Sequence, residues 1–456
     1  MQAVVNYLKG LGYSTIENSY YSEIEHWKKW YKGLVPSFHK YTQYNGIKKV
    51  HRQHKRLNMG KTIPEDWANL LLNEKVSITV DKNQEYLDEV LKRNKFWRRA
   101  NELIELAFAL GTGAFVEFRN DDEEIDIDYI RADLIYPIKT VNGDITECAF
   151  ASETTTGKNK RVYLNIHTFD DNGDYIVQNK VFNRTGDTLS PIILSEDDPN
   201  YIAPEVETKS PVPRFQIIKP NIVNNLRLGC PMGVSVFGNA IDQLQGCDLA
   251  YDSYCNEFRL GKKRIMVPIS QAKMMMDDEG VTIPVFDTND TEFYAFPGRD
   301  DDENKIQEID MDIRADDHDK GINKFLSLLS YKCGMGTNRY RFENGGVKTA
   351  TEVISEDSDL YKSMVKHEII LSDSLVSLVE SIYAMSGMEI PEITIMFDDS
   401  IISDSDSQRA SDRADVQQGI MNIWEYRKKW YGEDETKAKA NTPDNEGITF
   451  PGEGNA

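Results

Sequence analysis

The sequence predicts an α+β chain, and three observations carry that prediction. Apolar residues recur at three- and four-residue steps over several long stretches, the pattern of amphipathic helices. Between them lie runs of β-branched and aromatic residues broken by turn formers such as Asp171-Asn172-Gly173, the pattern of an antiparallel sheet. With 456 residues, 40% hydrophobic and 28% charged, the chain is long enough for two to four domains and apolar enough to bury cores.

The elements follow in chain order. Glu17 to Tyr31 sets aromatic and charged residues at helical spacing, and WANLLLNEKVSITV (Trp67 to Val80) reads as a helix running into a β-branched strand. NELIELAFALGTGAFVEF (Asn101 to Phe118) reads as an apolar helix stopped by Gly111 and Gly113, then a strand from Ala114. DIDYIRADLIYPI, ECAFASET, RVYLNIHTF and YIVQNKVFN follow as pieces of a meander reaching about Phe215. From Gly238 to Leu260 the positions Ile241, Leu244, Cys247, Leu249, Ala250, Tyr254 and Phe258 describe one long amphipathic helix, which ends in the basic Lys262, Lys263 and Arg264. RIMVPIS, VTIPVFD and EFYAFPG read as short strands joined by acidic turns such as RDDDEN. A second amphipathic helix runs from Asp316 to about Cys333, so a small β-rich insert separates two helices.

Next comes NRYRFENGGVKTATEV, Asn338 to Val353, and in it Thr349 and Glu352 form a capping box. The helix that starts there can be followed through its apolar positions to Gly387 without a proline, roughly 55 Å at 1.5 Å per residue. After Pro391, EITIMF reads as a strand and QRASDRADVQQGIMNIWEYRKKWYG as helical. The polar tail from about Asn441 is expected to be disordered.

Charge narrows the function. The 75 acids against 53 lysines and arginines give a formal charge of -22, which disfavours a tight nonspecific DNA binder. A protein that sits close to DNA without holding it remains compatible with that charge. The five cysteines, Cys148, Cys230, Cys247, Cys255 and Cys333, are widely spaced with no C-x-x-C pair, as expected of reduced core thiols. The N-terminal stretch lacks a basic region followed by a long apolar one, and no segment approaches the roughly 20 apolar residues that cross a bilayer, so a soluble, unexported protein without membrane contact is expected.

No motif points to catalysis. Gly60 to Thr62 spells GKT, but Lys55 stands where a phosphate loop needs its first glycine. Gly111 and Gly113 begin a G-x-G-x-x-G that Val116 fails to complete, and they follow a helix where that fingerprint needs a strand. His51 and His54 lie among Lys48, Lys49, Arg52, Lys55 and Arg56, which would repel a metal, so a solvated basic face is the expected reading. DDEEIDID (Asp121 to Asp128) lacks the glycine turn and terminal Glu of a calcium loop and reads as a charged turn into a strand. No catalytic residue, metal site or cofactor is therefore expected. In the glycine-containing loop, Gly345 and Gly346 permit large backbone rearrangement. Tyr340 and Phe342 there can contact bases or a neighbouring subunit, and Arg339, Arg341 and Lys348 can meet phosphates.

The order of mixed α/β region, long helix, small β insert, return helix, glycine-containing loop, very long helix and C-terminal helices resembles the bacteriophage portal proteins, in particular those of siphophages infecting Gram-positive bacteria. GVSVFGNAIDQLQGCDLAYDS, GTGAF, KTATEVISEDSDLYKSMVKHE and IMFDDSIISDSDSQRASDRADVQQGIMNIWEYRKKWYG carry the resemblance, which covers nearly the whole chain. It implies a wing over 1–235, stem helices over 236–262 and 314–334, a clip over 263–313 and a tunnel loop over 335–349. A long helix and strand over 350–402 would return to the wing, a helical crown would follow over 403–440, and 441–456 would be a tail. It further implies a homo-oligomeric ring of twelve subunits at one capsid vertex of the virion, assembled in the host bacterial cytoplasm, through which double-stranded DNA is packaged and ejected. Implied partners are the large terminase subunit, a head-completion or adaptor protein, and the major capsid and scaffolding proteins. In the tunnel loop Asn338, Arg339, Tyr340, Arg341, Phe342 and Lys348 would touch passing DNA. Lys262, Lys263 and Arg264 would mark the clip and stem junction, and Asp242, Asp248, Asp252 and Glu257 would line the channel or pair between subunits. The alternatives are a metal-dependent nuclease or hydrolase using the acidic clusters, or another head-tail connector component.

Overall fold

The fold was read from a computed structural model that describes residues 2–442 except 45–47, 74–75, 157–158, 187, 196, 199–200, 262–263, 269–272, 277–279, 286–292, 297–306, 310–311, 343–349 and 398–404. The chain divides into a large unit, Met1–Val347 with Lys362–Phe397, and a small one, Lys348–Tyr361 with Asp398–Ala456.

The large unit opens with α1 (Gln2–Gly10), α2 (Asn18–Tyr31) and α3 (Pro36–His39), then a ribbon of β1 (Lys40–Tyr44) and β2 (Lys49–Gln53). α4 (Met59–Leu71), β3 (Ser77–Val80), α5 (Gln84–Arg93) and α6 (Phe96–Leu110) follow. Tyr20, Tyr21, Ile24, Trp27 and Trp30 of α2 repeat at helical spacing and are all buried, with Trp67 of α4 and Ile104 and Phe108 of α6 also in this core. Two glycines permit the close packing. A Cβ on Gly60 would lie 2.7 Å from the Trp30 carbonyl oxygen, so the glycine of GKT serves the approach of α4 to α2. Gly111 ends α6 at φ +90°, and a Cβ there would lie 2.7 Å from the Gly233 carbonyl oxygen.

β4 (Gly113–Arg119) and β5 (Ile125–Arg131) form a sheet with β12 (Phe215–Ile218) in the order β12-β4-β5. β6 (Ile135–Val141), β7 (Asp144–Thr156), β8 (Asn159–Phe169), β9 (Tyr175–Thr185) and β10 (Thr188–Ile192) form the expected antiparallel meander, with β11 (Glu205–Glu207) added to β9. The run DIDYIRADLIYPI, expected as one piece, is cut by a 3₁₀ turn at Ala132–Leu134, so that β5 and β6 enter different sheets. The buried Asp133 fixes that turn by accepting from Arg131 Nε at 2.5 Å and Lys28 Nζ at 2.6 Å.

α7 (Ile241–Leu260) starts three residues later than its periodicity suggested and packs on α8 (Ala315–Lys332). Between them lie β13 (Arg264–Pro268), β14 (Lys273–Met276), β15 (Thr282–Val285), β16 (Phe293–Phe296) and β17 (Gln307–Ile309). Three of these strands match the expected ones, β14 and β17 are additional, and the RDDDEN turn lies outside the described residues. β13 pairs parallel with β16 and antiparallel with β17.

α9 (Ala350–Met385) has 36 residues, about 54 Å of helix. Its Thr349 capping residue lies outside the described residues. It ends in a Schellman turn: Gly387 sits at φ +67°, with Gly387 N donating to Ala384 O and Met388 N to Tyr383 O, each at 3.1 Å. β18 (Ile393–Met396) then pairs antiparallel with β3, some 300 residues earlier in the chain. In the small unit, α10 (Ser405–Gln417) meets the buried Tyr426 of α11 (Ile423–Tyr431), whose hydroxyl accepts from Arg409 Nε at 3.2 Å and Arg413 Nε at 2.9 Å. Trp430 Nε1 donates to Asp412 Oδ2 at 2.7 Å, and α12 (Glu435–Ala440) packs on α11. Of the tail expected to be disordered, 443–456 lies outside the described residues. Cys148, Cys247 and Cys333 are buried as expected, whereas Cys230 and Cys255 are half-buried.

Candidate functional site

After α8 the chain turns through Gly334 and Gly336, both at positive φ, and Met335 N returns to Ser330 O at 3.0 Å. The loop that follows is described from Asn338 to Phe342; Gly345, Gly346 and Lys348 lie outside the described residues. Arg339 is exposed, with Nε 3.4 Å from Asp66 Oδ2, and Arg341 Nη1 donates to Asn338 Oδ1 at 3.0 Å. Phe342 is 70% exposed while its backbone N donates to Asn323 Oδ1 at 3.0 Å, so α8 holds the backbone and leaves the ring free to touch a neighbour.

Tyr340 departs from the expectation that it contacts bases. It is half-buried against the chain, and burial, then the Asp66 carboxylate, raise its phenol well above the ordinary value. The chain turns here, Arg341 N donating to Asn338 O at 3.3 Å, and Tyr340 lies covered between two exposed arginines. Beside the loop lies a cavity of about 450 Å³, lined by Lys324, Ser327, Leu328 and Tyr331 of α8 together with Asn338 and Arg341. Lys324 thus joins the loop cations. Its i, i+4, i+7 spacing with Leu328 and Tyr331 was the available signal.

The four acids assigned to the stem have different environments. Asp242 is exposed. Asp248 is 5% exposed, accepting from His39 Nε2 at 2.9 Å and Leu57 N at 2.7 Å. Asp252 is 6% exposed and bonds to His54 Nδ1 and Lys55 N, each at 2.8 Å. Burial alone would raise the Asp252 carboxyl, but the bonds from His54, Lys55 and Asn256 bring it below its usual value. Asp248 and Asp252 therefore pair within their own chain and do not face solvent, a correction to the channel or intersubunit reading. The same bond corrects the solvated reading of His54, while His51 is exposed. Glu257 binds Arg314 through Nε and Nη2, each at 2.9 Å, which draws its carboxyl down to about 2. At the clip junction, Arg264 opens β13 opposite Ile309, and Lys262 and Lys263 lie outside the described residues.

No group of three or more His, Cys, Asp or Glu among the described residues is placed to hold a metal ion. The Asp121–Asp128 tract turns where Asn120 Oδ1 accepts from Asp122 N and Glu124 N at 3.0 Å, then enters β5, the charged turn into a strand that the sequence indicates. Burial pushes the Glu117 carboxyl up to about 7, a value suited to acid–base work, yet Glu117 is 1% exposed and bonded to Gln216 and Ser381. No helix among the described residues is long and apolar enough to cross a membrane.

The architecture is mixed helix and sheet, with a 36-residue helix, a strand-rich insert between two packed helices and two exposed arginines in the loop after α8. The sequence matches the family described as Phage portal protein, SPP1 Gp6-like, over residues 13–422, nine-tenths of its length. The chain belongs to that family, whose members are structural components of the bacteriophage capsid at the head-tail connector, acting in DNA packaging as oligomeric rings with capsid and packaging partners. No curated protein matches the sequence.

Proposed function

We propose that twelve copies of this chain form a ring at one capsid vertex, with a central channel for packaging and ejecting double-stranded DNA. The observation that carries the reading is the family match across residues 13–422. In this reading α7 and α8 are the stem, the strands between them the clip, and the loop after α8 projects into the channel. Arg339, Arg341 and Lys348 make transient phosphate contacts there, with Phe342 beside them; a few cations in an acidic channel follow a duplex and release it again. The clip is the docking surface for the large terminase subunit and later for the head-completion protein. The motor supplies ATP hydrolysis.

Light scattering and electron-microscope class averages of the purified protein test the ring. A particle with a central channel near 630 kDa, about twelve times 52.2 kDa, is expected. A compact dimer overturns the reading. Alanine at Arg339, Arg341 and Lys348 together is expected to lower packaged or retained DNA while leaving rings intact, and unchanged DNA content per particle removes the loop from the mechanism.

A further inference from the structure

From His26 to Pro64 the sequence holds ten lysines and arginines and no aspartate or glutamate. Without those ten, 43 cations face 75 acids, so the rest of the chain carries a charge of -32. The structure places part of this basic stretch on the β1–β2 ribbon. Lys40 pairs with Gln53, Thr42 with His51 and Tyr44 with Lys49. Alternation along each strand puts these six side chains on one face, and all six are exposed, whereas Tyr41, Val50 and Arg52 on the opposite face are partly covered. Among the described residues no carboxylate pairs with the side-chain ammonium of Lys40, Lys49 or the exposed Lys55.

The base of the ribbon is fixed. His39, just before β1, is bonded to Asp248, while His54, Lys55 N and Leu57 N, just after β2, are bonded to Asp252 and Asp248. The buried acids of α7 thus hold the backbone of the ribbon, and its lysines remain turned to solvent. Subunits of charge -22 repel one another, and at about 0.1 M salt that repulsion is screened only beyond roughly 10 Å. A surface of opposite sign on each copy offsets that repulsion where subunits meet.

We propose that the β1–β2 ribbon is an electrostatic docking arm that seats on the acidic surface of a second copy of this chain. One cationic arm meeting one acidic face is a head-to-tail contact, the kind that closes into a ring; the inference rests on the ring reading for that closure. A duplex would also be drawn to the lysines, but it must approach the whole acidic molecule, whereas a neighbouring subunit in a ring is held at high effective concentration.

The test is assembly of the full chain, followed by light scattering from about 0.05 to about 0.5 M NaCl, for wild type and for Lys40→Glu, Lys49→Glu and Lys55→Glu combined. Wild-type assemblies should weaken as salt rises, and the variant should need at least about tenfold more protein to assemble at low salt, with an unchanged circular dichroism spectrum. If charge reversal prevents folding, glutamine at the three positions should give the same effect in smaller degree. Rings equally stable in wild type and variant overturn the arm and leave the ring reading standing. Lysine-dependent assemblies without a channel overturn the ring and leave the arm. A wild type that stays monomeric at low salt overturns the arm. Fluorescence polarisation with a short labelled duplex supplies the other arm: lost duplex binding with unchanged assembly assigns the face to nucleic acid and overturns the proposal.

Discussion

Glu117 on β4 ties three elements together, because its Oε2 accepts from Gln216 Nε2 of β12 at 3.0 Å and from Ser381 Oγ of α9 at 2.8 Å. Its Oε1 and the Gln216 Oε1 are both buried without a partner among the described residues. Burial raises the carboxyl from 4.5 to about 7, against the hydrogen bonds and the nearby Arg214, which favour ionisation. The folded protein therefore holds this proton more tightly than the unfolded chain. The stabilisation is full below about 4.5 and lost as pH rises through about 7, a change of about 3 kcal/mol. His167 and His367 act in the opposite sense: burial lowers both to about 3, so their contribution is full above 6.5 and lost as pH falls toward 3. Glu117→Gln isolates the first effect. Its melting temperature relative to wild type is expected to rise between about pH 5 and about pH 8, checked by differential scanning fluorimetry; a pH-independent difference would show that Glu117 is ionised throughout.

Helix α7 is positioned by contacts on two sides. Toward α8, a Cβ on Gly246 would lie 2.4 Å from the Phe325 ring, so Gly246→Val is expected to cost about 1–3 kcal/mol by overpacking, read as a lower urea midpoint at unchanged slope. Toward the β1–β2 ribbon, Asp248→Ala takes the carboxylate from the buried His39 and from Leu57 N, and Asp252→Ala takes it from the half-buried His54 and from Lys55 N; each is expected to destabilise by about 2–5 kcal/mol, the second less than the first. Asp242→Ala, at an exposed position, should stay within about 0.5 kcal/mol of wild type by the same measurement. Periodicity made both α7 and α8 legible because their buried faces repeat every three or four residues. It placed all four stem acids on one helix but could not distinguish them, since the partners of Asp248 and Asp252 lie about 200 residues earlier in the chain and that of Glu257 lies 57 residues later.

The whole chain combines a charge of -22 with a family membership that assigns it to the phage head-tail connector. A metal-dependent activity would make stability rise with divalent cation by mass action. Thermal melts with added Mg²⁺ or with EDTA are expected to coincide, and a rise in melting temperature with Mg²⁺ would bring the nuclease reading back. Helix lengths, the antiparallel meander, the strand-rich insert and the basic loop were determined by the sequence itself, because periodicity, turn chemistry and charge are local properties. Tertiary structure alone decided that Tyr340 turns inward between Arg339 and Arg341, that Asp248 and Asp252 hold the ribbon's backbone, that Glu117 is sealed beneath α9, and that β18 joins β3. Each depends on which distant groups supply burial or a hydrogen-bond partner, and the spacing of residues along one strand or helix does not encode that.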